Sequence, residues 1–303
     1  TWAVNAPNAI ATVCTVIVVA ITIKNLYGKT AGLIAGAIFA TTPIVAAVSR
    51  SNQPQSYFLL TLAISAWAAV KALQNNSRKY LILAGVWIAV AFHTYMLEAW
   101  ALWPALIIAY LFTEQKMIKK FIDLLIAGTT SLILSLTWII IVTLIPASHR
   151  PYIGGTYHNN PIEMVFGYNG LGRFTSSSNT LSSSSDSPIF RSFTPPFGGV
   201  PGIGRLFNYN VGGQIAWLIP TTIVAFIIVI IFKQNRAITA FFVGWALVFF
   251  AMFSAVGGIH QFYVSSLALP MAALIASAIA LAREAKSINS EIALLGTTAL
   301  WTF

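Results

Sequence analysis

The stretch LILAGVWIAVAFHTYMLEAWALWPALIIAYLF, residues 81–112, decides how this chain is arranged. A helix needs roughly 20 apolar residues to cross the hydrocarbon core of a bilayer. The stretch is therefore too long for one crossing and short for two. Basic clusters at 71–79 and 116–120 flank it. Because Lys and Arg are retained on the cytoplasmic side during insertion, both flanks should share a side. We expect two short helices that meet near residues 93–98.

The same sorting of charge continues along the whole chain. All nine Lys and three of the eight Arg lie in or beside five short segments: 24–29, 74–79, 113–120, 233–236 and 283–290. The other five Arg and all four His lie in the alternate segments: 49–55, 93–98, 146–213 and 256–263. A soluble protein has no reason to sort its cations in this way. The pattern predicts cytoplasmic loops for the first set and outer loops for the second.

Composition indicates an integral membrane protein. The chain is 57% apolar and only 8% charged, whereas soluble domains carry about 25% charged residues. Further apolar runs of about one membrane crossing each lie at 6–23, 31–48, 56–73, 121–145, 214–232, 237–255 and 264–282. The predicted fold is an all-α polytopic membrane protein with about nine transmembrane helices and part of a tenth.

Charge and cysteine content narrow the function classes. The net charge of +10 could indicate a nucleic-acid partner, but here we attribute it to cytoplasmic lysines and to an anionic partner outside. The single Cys14 lies in an apolar run, which excludes a disulfide framework and a cysteine zinc site. The expected partners are the lipid bilayer and an anionic ligand.

Three regions follow from the predicted spans. Residues 1–145 hold six N-terminal spans, residues 146–213 form one long outer loop, and residues 214–303 hold three further spans and a truncated one. The Ser-rich middle of the loop, 175–187, is expected to be flexible. The chain starts with Thr1 on the predicted outer side and ends inside an apolar segment. We therefore expect it to be a fragment that lacks an earlier span.

The predicted outer face is rich in guanidinium groups. Its ionisable residues are Arg50, Arg150, Arg173, Arg191, Arg205, His93, His149, His158, His260, Glu98, Glu163 and Asp186. Five Arg against three carboxylates attract anions, and a guanidinium binds phosphate bidentately. Arg50 is the best phosphate candidate, because it ends a span and is followed by Ser51 and Asn52. The alternative is that these arginines bind lipid headgroups or cap helices.

His93 and Glu98 lie where the two short helices should meet. Placing an ionisable group at the membrane centre costs a free energy on the order of 3 kcal/mol, so an ionisable group near the membrane usually has a function or a partner. Catalysis or a divalent metal, with His260 as a third ligand, is one reason. Pairing of Glu98 with a nearby cation is the other. No HExxH-type spacing occurs, so a metal is only weakly indicated.

Aromatic residues alternate with Gly in the first part of the long loop. Tyr152 and Tyr168, with Asn169, are candidates for a surface that stacks on a sugar or contacts a lipid chain. The alternative is an aromatic belt at the membrane interface.

Five stretches, in this order, carry a family resemblance. They are LYGKTAGLIAGAIFATTPIVAAVSRSNQPQ (26–55), AFHTYMLEAW (91–100), HRPYIGGTYHNNPIEMVFGYNGLGR (149–173), FGGVPGIGRLFNYNVGGQIAWLIP (197–220) and FSAVGGIHQFYVSSLALP (253–270). The chain resembles bacterial membrane glycosyltransferases of the GT-C class, in the group related to protein O-mannosyltransferases and the lipid A aminoarabinose transferase.

The resemblance implies a transferase in a bacterial cell membrane. It would move a hexosyl or pentosyl group from a polyprenyl-phosphate carrier to a protein, lipid or cell-wall acceptor on the outer face. Arg50 would hold the phosphate, with Arg150 or Arg173 as a second clamp and His260 in the pocket. The acidic base of the family would lie upstream of Thr1.

Two departures from the family pattern concern Gln55, where Asp is common, and Tyr95, where Lys is usual. Either Glu98 compensates, or this is a divergent or weakened copy.

Two other functions stay open at this point. A transporter or flippase for a lipid-linked or anionic solute also needs many spans and basic residues. Transporters usually place polar sites near the midplane between repeated halves, whereas here polar residues concentrate at one surface. A membrane subunit that has lost catalysis is the third option, which Gln55 keeps open.

Overall fold

The computed structural model describes residues 2–175, 197–232 and 235–302. Regular structure in these ranges is helical: α1 Trp2–Thr41, α2 Pro43–Ser49, α3 Gln55–Asn75, α4 Arg78–Tyr95, α5 Leu97–Trp100, α6 Leu102–Leu111, α7 Met117–Leu144, α8 Gly172–Thr175, α9 Leu218–Ile231, α10 Arg236–Ala255, α11 Ala268–Glu284 and α12 Ile288–Thr302. Short 3-10 helices cover Ala147–His149, Arg205–Phe207 and Gln261–Leu267, and π-helical turns cover Glu163–Leu171 and Gly212–Ala216.

The all-α fold predicted for a membrane protein is confirmed. Six helical stretches among the described residues are long and apolar enough to cross a membrane: Trp2–Thr41, Gln55–Asn75, Met117–Leu144, Gly212–Ile231, Arg236–Ala255 and Gln261–Glu284. The count of nine spans and the three-region division stay predictions. The Ser-rich stretch 176–187, Asp186, Arg191 and Lys233 lie outside the described residues.

Helix α1 is a hairpin rather than one long rod. Its backbone breaks at Gly28, where φ is 87° and only glycine is unstrained. The second arm returns along the first, because a Cβ on Gly32 would lie 2.5 Å from the carbonyl oxygen of Ala20. Gly32 and Gly36 have the small-xxx-small spacing that lets helix backbones approach closely in membranes. The predicted break at 24–29 is therefore present.

The quoted stretch 81–112 also divides where its flanking charges predicted. Helix α4 ends at Tyr95 and α5 begins at Leu97, with Met96 between them at φ 48°. Helix α7 lies beside both. The Nε2 of His93 on α4 lies 3.0 Å from the Leu134 carbonyl oxygen, and the indole nitrogen of Trp100 on α5 donates a 3.1 Å hydrogen bond to the Ser135 hydroxyl. Charge on the two flanks thus determines a chain reversal that hydropathy alone leaves open.

One end of the bundle, here called the lysine end, holds segments 74–79 and 113–120. The carboxylate of Asp123 is fully buried there and accepts hydrogen bonds from the Nε of Arg78 and, at 2.9 Å, from the hydroxyl of Tyr110. Lys119 lies 3.6 Å from the same carboxylate. These contacts join α4, α6 and α7.

The opposite end, here called the arginine end, brings together the four segments that carry the other Arg and His. The side-chain amide of Gln55 donates a hydrogen bond of 2.9 Å to the Ser265 hydroxyl, and the Ser266 hydroxyl donates one of 3.2 Å to Glu98. Arg173 donates 2.8 Å to the carbonyl of Gly258. The predicted grouping of segments 49–55, 93–98, 146–213 and 256–263 is therefore seen in the structure. Which membrane face they occupy stays a prediction.

Arg205 fixes the last part of the long loop onto this end. Its side chain is 2% exposed and donates five hydrogen bonds, all to backbone carbonyls. The acceptors are Gly198, Gly199, Phe253, Val256 and Gly257. The last three lie at or just beyond the C-terminal end of α10, where the helix dipole favours a cation. Of the two alternatives for the outer arginines, Arg205 therefore fits helix capping.

Candidate functional site

A cavity of about 550 Å³ opens at the arginine end. Residues with polar groups line part of it: Thr94, Tyr95, Glu98, Asn169, Arg173 and Tyr263. Apolar residues and one glycine line the rest: Met96, Leu97, Phe166, Gly170, Met252, Phe253, Val256 and Ile259. The lining thus comes from the α4–α5 junction, the π-helical turn, α8, the end of α10, the segment after α10 and the 3-10 helix Gln261–Leu267. A cavity of this size and composition suits an amphipathic small molecule.

Arg173 is the cation that lines the cavity among the described residues. It is 9% exposed, and its Nη1 and Nη2 donate 2.8 Å to the Gly258 carbonyl and 2.9 Å to the Asn169 amide oxygen. Its guanidinium also lies over the rings of Tyr168 and Tyr263, 5.7 and 5.5 Å from their centroids. A guanidinium has five N–H donors, so this fixed group retains donors for an anion.

Glu98 provides a carboxylate to the same cavity. The break at Met96 places it in the first turn of α5, and its Oε1 accepts a 3.2 Å hydrogen bond from Ser266. Within the part of the chain that the structure describes, no ion pair joins Glu98 to Arg173. Burial raises the pKa of Glu98 to about 8, although the Ser266 hydrogen bond and the charge of Arg173 act in the opposite direction. The cavity therefore combines a largely protonated carboxyl group with a guanidinium at neutral pH.

Adjacent serines on the 3-10 helix Gln261–Leu267 hold two residues that the sequence analysis singled out. Ser266 bonds Glu98, and Ser265 accepts 2.9 Å from the amide nitrogen of Gln55. Gln55 is fully buried, and its Oε1 has no hydrogen-bond partner among the residues that the structure describes. The sequence analysis missed both serines, although they lie in the stretch HQFYVSS that contributed to the family resemblance.

Tyr95 and Tyr263 form an aromatic wall beside the carboxylate. Their rings meet edge to face at 5.4 Å, and Tyr95 also packs on Phe58 at 5.2 Å. Tyr95 was noted as a departure from the family pattern, whereas Tyr263 was missed. These rings position two phenol groups on the cavity lining.

His260 lies in an aromatic stack next to the cavity rather than on its lining. Its ring stacks on Phe262 at 4.9 Å and on Phe197 at 5.0 Å. Burial, and then the charge of Arg173, lower the pKa of His260 below its ordinary value of 6.5. The neutral ring therefore predominates, as suits a stack between two phenylalanines.

Arg50 and Asn52 are exposed at the arginine end and do not line the cavity. Arg50 follows α2 as its C-terminal cap, and its backbone amide bonds Ala47. The guanidinium is thus placed at the surface beside the chain segment that leads to Gln55. This surface position does not test the prediction that Arg50 binds a phosphate.

Arg150 and Tyr152 also lie away from the cavity lining. Arg150 donates to the carbonyls of Thr143 and Ile145, at 2.5 and 2.6 Å, and so caps the end of α7. Tyr152 is 87% exposed. A structural use of the Arg150 guanidinium is therefore visible, and the predicted substrate role stays a prediction.

Tyr168, Asn169 and Arg173 come together as one unit. The π-helical turn Glu163–Leu171 carries the first two, and Asn169 accepts from Arg173 while its Nδ2 lies 3.2 Å from the sulfur of Met96. Of the residues predicted to bind substrate, Asn169 and Arg173 line the cavity, and Tyr168 supports the guanidinium.

The three candidate metal ligands are not assembled. His93 is exposed, and its Nε2 lies 3.0 Å from the carbonyl oxygen of Leu134 on α7. Glu98 bonds Ser266, and His260 is stacked between two rings. Among the described residues, no three His, Cys, Asp or Glu side chains form a group that could hold a metal ion.

Comparison with known proteins bears on this arrangement. Residues 1–141 match the family described as dolichyl-phosphate-mannose-protein mannosyltransferase. YkcB of Bacillus subtilis (strain 168), named as a candidate mannosyltransferase, is 30% identical over 90% of this chain and 50% of its own length. YycA of the same organism, named likewise, is 28% identical over 90% of this chain and 51% of its own length. The chain is related to the GT-C membrane glycosyltransferases.

The GT-C relationship extends to solved structures. ArnT from Cupriavidus metallidurans, bound to undecaprenyl phosphate, superposes with a TM-score of 0.66 over 92% of this chain and 46% of ArnT, at 14% identity. The apo state of the same protein superposes with a TM-score of 0.61 over 91% of this chain and 45% of ArnT, also at 14% identity. The likeness shows a shared fold, and the resemblance inferred from the five stretches is confirmed. The chain spans about half the length of the relatives it matches.

Proposed function

We propose that this GT-C relative transfers a sugar from a polyprenyl-phosphate carrier to an acceptor at the arginine end, on the outer face of the cell membrane. The observation that carries the proposal is the 550 Å³ cavity, in which Arg173 and Glu98 face an otherwise largely apolar lining. The sugar is a hexose or pentose, and the acceptor is a protein, a lipid or a cell-wall polymer.

The cavity suits the two unlike ends of such a donor. Apolar side chains, among them Met96, Phe166 and Ile259, would contact the first isoprene units, and Arg173 would bind the phosphate. Arg173 is fixed before any ligand arrives, since Gly258, Asn169 and two tyrosine rings hold it. The fold shared with ArnT, whose structure contains undecaprenyl phosphate, supports the same class of carrier here.

The reaction is a displacement at the anomeric carbon of the sugar. An acceptor hydroxyl oxygen forms the new bond to that carbon as the bond to the phosphate oxygen breaks. Negative charge grows on the leaving polyprenyl phosphate, and a preorganised cation beside it stabilises the transition state more than the ground state. Arg173, which lines the cavity, would have this role.

Glu98 would bind a hydroxyl of the sugar or of the acceptor. Ser266 holds one carboxylate oxygen, which leaves the other for the ligand. The proton of the attacking hydroxyl needs a base, and the family resemblance assigns that role to an acidic residue. Tyr95 and Tyr263 would pack against the sugar ring from the adjacent wall.

Transfer of labelled sugar from a polyprenyl-phosphate donor tests the proposal in membranes that contain the protein. We expect labelled product from the wild type and a loss of about 100-fold or more in Arg173→Ala. Arg283→Ala, at an exposed position near the end of α11, is the matched control and should keep wild-type turnover. Unchanged turnover in Arg173→Ala would remove this cavity from the reaction.

A further inference from the structure

The lysine end carries a second concentration of charge, separate from the cavity and without a role in the proposed reaction. The first turns of α4 and α7 and the residue before α7 contribute its cations: Arg78, Lys79, Lys116, Lys119 and Lys120. The carboxylates that accompany them are Glu114, which is exposed, and Asp123, which is buried. Five cations against two carboxylates leave this surface strongly positive.

Asp123 links the two helices but does not balance their charge. One of its oxygens accepts from the Nε of Arg78, and the other accepts 2.9 Å from Tyr110 and lies 3.6 Å from Lys119. Lys119 also donates to the side-chain oxygen of Gln115, which is neutral. One carboxylate therefore serves Arg78 and Lys119 together, and net positive charge remains between the starts of α4 and α7.

The helix ends increase this positive potential. The N-terminus of a helix already has positive partial charge, so cations in the first turn are unfavourable there without an anion nearby. Neither N-cap residue, Ser77 before α4 or Lys116 before α7, caps its helix through the side chain. The N-cap side chains therefore leave the first N–H groups of both helices uncapped, beside cations at the same end of the bundle.

Lys120 adds a buried cation to the lysine end. Its side chain is 6% exposed, and its ammonium donates 2.7 Å to the carbonyl of Leu111. An ammonium has three donors, and no second partner or counter-ion for it is found among the described residues. Leu111 is the last residue of α6, where the helix dipole favours a cation. The Lys120 ammonium is therefore held by the end of α6 and adds its positive charge to the lysine end.

We propose that the lysine end binds the headgroup of an anionic phospholipid, with its phosphate at the start of α7 near Lys119 and Lys120. The ligand is a lipid rather than a soluble anion because α7 is a membrane-crossing helix whose first turns expose apolar side chains. Met117, Ile118 and Phe121 are 63, 66 and 64% exposed, and an acyl chain would cover them. A headgroup phosphate would then lie where the helix N-terminus and the cations converge.

Native mass spectrometry tests this site on the protein released from membranes that contain phosphatidylglycerol and phosphatidylcholine. The wild type should retain phosphatidylglycerol in preference to phosphatidylcholine. Lys116→Gln and Lys119→Gln should each lower this retention about fivefold, the effect expected for one basic residue near an anionic membrane surface. Both residues are exposed, so neither variant should unfold the protein.

Lys286→Gln is the control, because Lys286 is an exposed lysine in the segment between α11 and α12, with no contact to Asp123. It should retain the lipid as the wild type does. Equal retention of both lipids by the wild type would overturn the proposal, and so would equal losses in all three variants. Retention of glycerol phosphate without acyl chains would overturn the assignment to a lipid.

Discussion

Arg173 donates a hydrogen bond of 2.8 Å to the carbonyl oxygen of Gly258, 85 residues away in the sequence. The amide of Gly257 donates 2.6 Å in return to the carbonyl oxygen of Arg173. These bonds join the long loop to the segment before α11 and set the guanidinium on the cavity lining. A cation held by backbone atoms on both sides needs little reorganisation when charge develops on a phosphate.

Replacing Arg173 with lysine should not restore activity. Lysine keeps the charge but lacks the planar fork that can bond Gly258, Asn169 and a phosphate together. We expect sugar transfer to fall by at least about tenfold in Arg173→Lys. Initial rates at several donor concentrations measure it. Wild-type rates in Arg173→Lys would show that only a point charge is needed.

Replacing Glu98 with glutamine should reduce transfer while the protein stays folded. Glutamine keeps the shape and the hydrogen bond to Ser266 but removes the titratable carboxyl group, whose pKa burial raises to about 8. A decrease of about 10- to 100-fold is expected from loss of a carboxyl group that can exchange a proton with a reacting hydroxyl. Ser266→Ala is the companion variant and should have a smaller effect. No change in Glu98→Gln would exclude the carboxylate from substrate binding.

Arg205 should matter for stability rather than for chemistry. Replacing it with methionine would leave five carbonyl acceptors without their buried donor. The expected cost is about 3–5 kcal/mol, because hydrogen bonds to a charged donor contribute about 1.5–3 kcal/mol and a buried acceptor left unsatisfied costs about 1–3 kcal/mol. Thermal unfolding in detergent measures it, with Arg283→Met as the exposed control. An unchanged melting temperature would contradict the bonding seen here.

The hairpin in α1 depends on close approach of its two arms. Gly32→Ala places a methyl group 2.5 Å from the Ala20 carbonyl oxygen and 2.7 Å from the Cβ of Lys24, so the arms must separate. We expect a loss of about 1–3 kcal/mol. Gly128→Ala on α7 is the matched control, since nothing lies within 4 Å of that Cβ and alanine favours a helix. Equal stability of the two variants would refute the tight hairpin.

His260 should make stability depend on pH. Its pKa is lowered in the folded protein, mainly by burial, so folding favours the neutral ring. That contribution is full above the unfolded pKa of about 6.5 and is lost as the pH falls below it. The melting temperature should therefore drop more between about pH 7.5 and pH 5.5 in the wild type than in His260→Phe. An equal drop in melting temperature in the wild type and in His260→Phe would contradict the lowered pKa of His260.

The helical arrangement was predictable because charge and hydropathy report directly on membrane insertion. The break at Met96 and the reversal at Gly28 both fall where flanking cations required them. The GT-C relationship was likewise predictable from the order of the five stretches. Each of these features depends on local sequence and needs no knowledge of which side chains meet.

The assignment of roles to individual arginines was not predictable in this way. Arg150 and Arg205 bond backbone carbonyls, Arg50 is exposed, and Arg173 reaches the cavity. The sequence favoured Arg50 for the phosphate and could not place Arg173 on the cavity, because the Gly258 carbonyl that holds Arg173 lies 85 residues away. The bond between Gln55 and Ser265 spans 210 residues and was equally hidden.

Equilibrium binding of undecaprenyl phosphate to the purified protein tests the central claim most directly. The claim is that Arg173 holds the carrier phosphate in the cavity at the arginine end. The account predicts that Arg173→Ala weakens binding by at least about tenfold, as loss of a charge-assisted phosphate contact requires. Arg283→Ala should bind as the wild type does. Equal affinity in Arg173→Ala and the wild type would contradict the account.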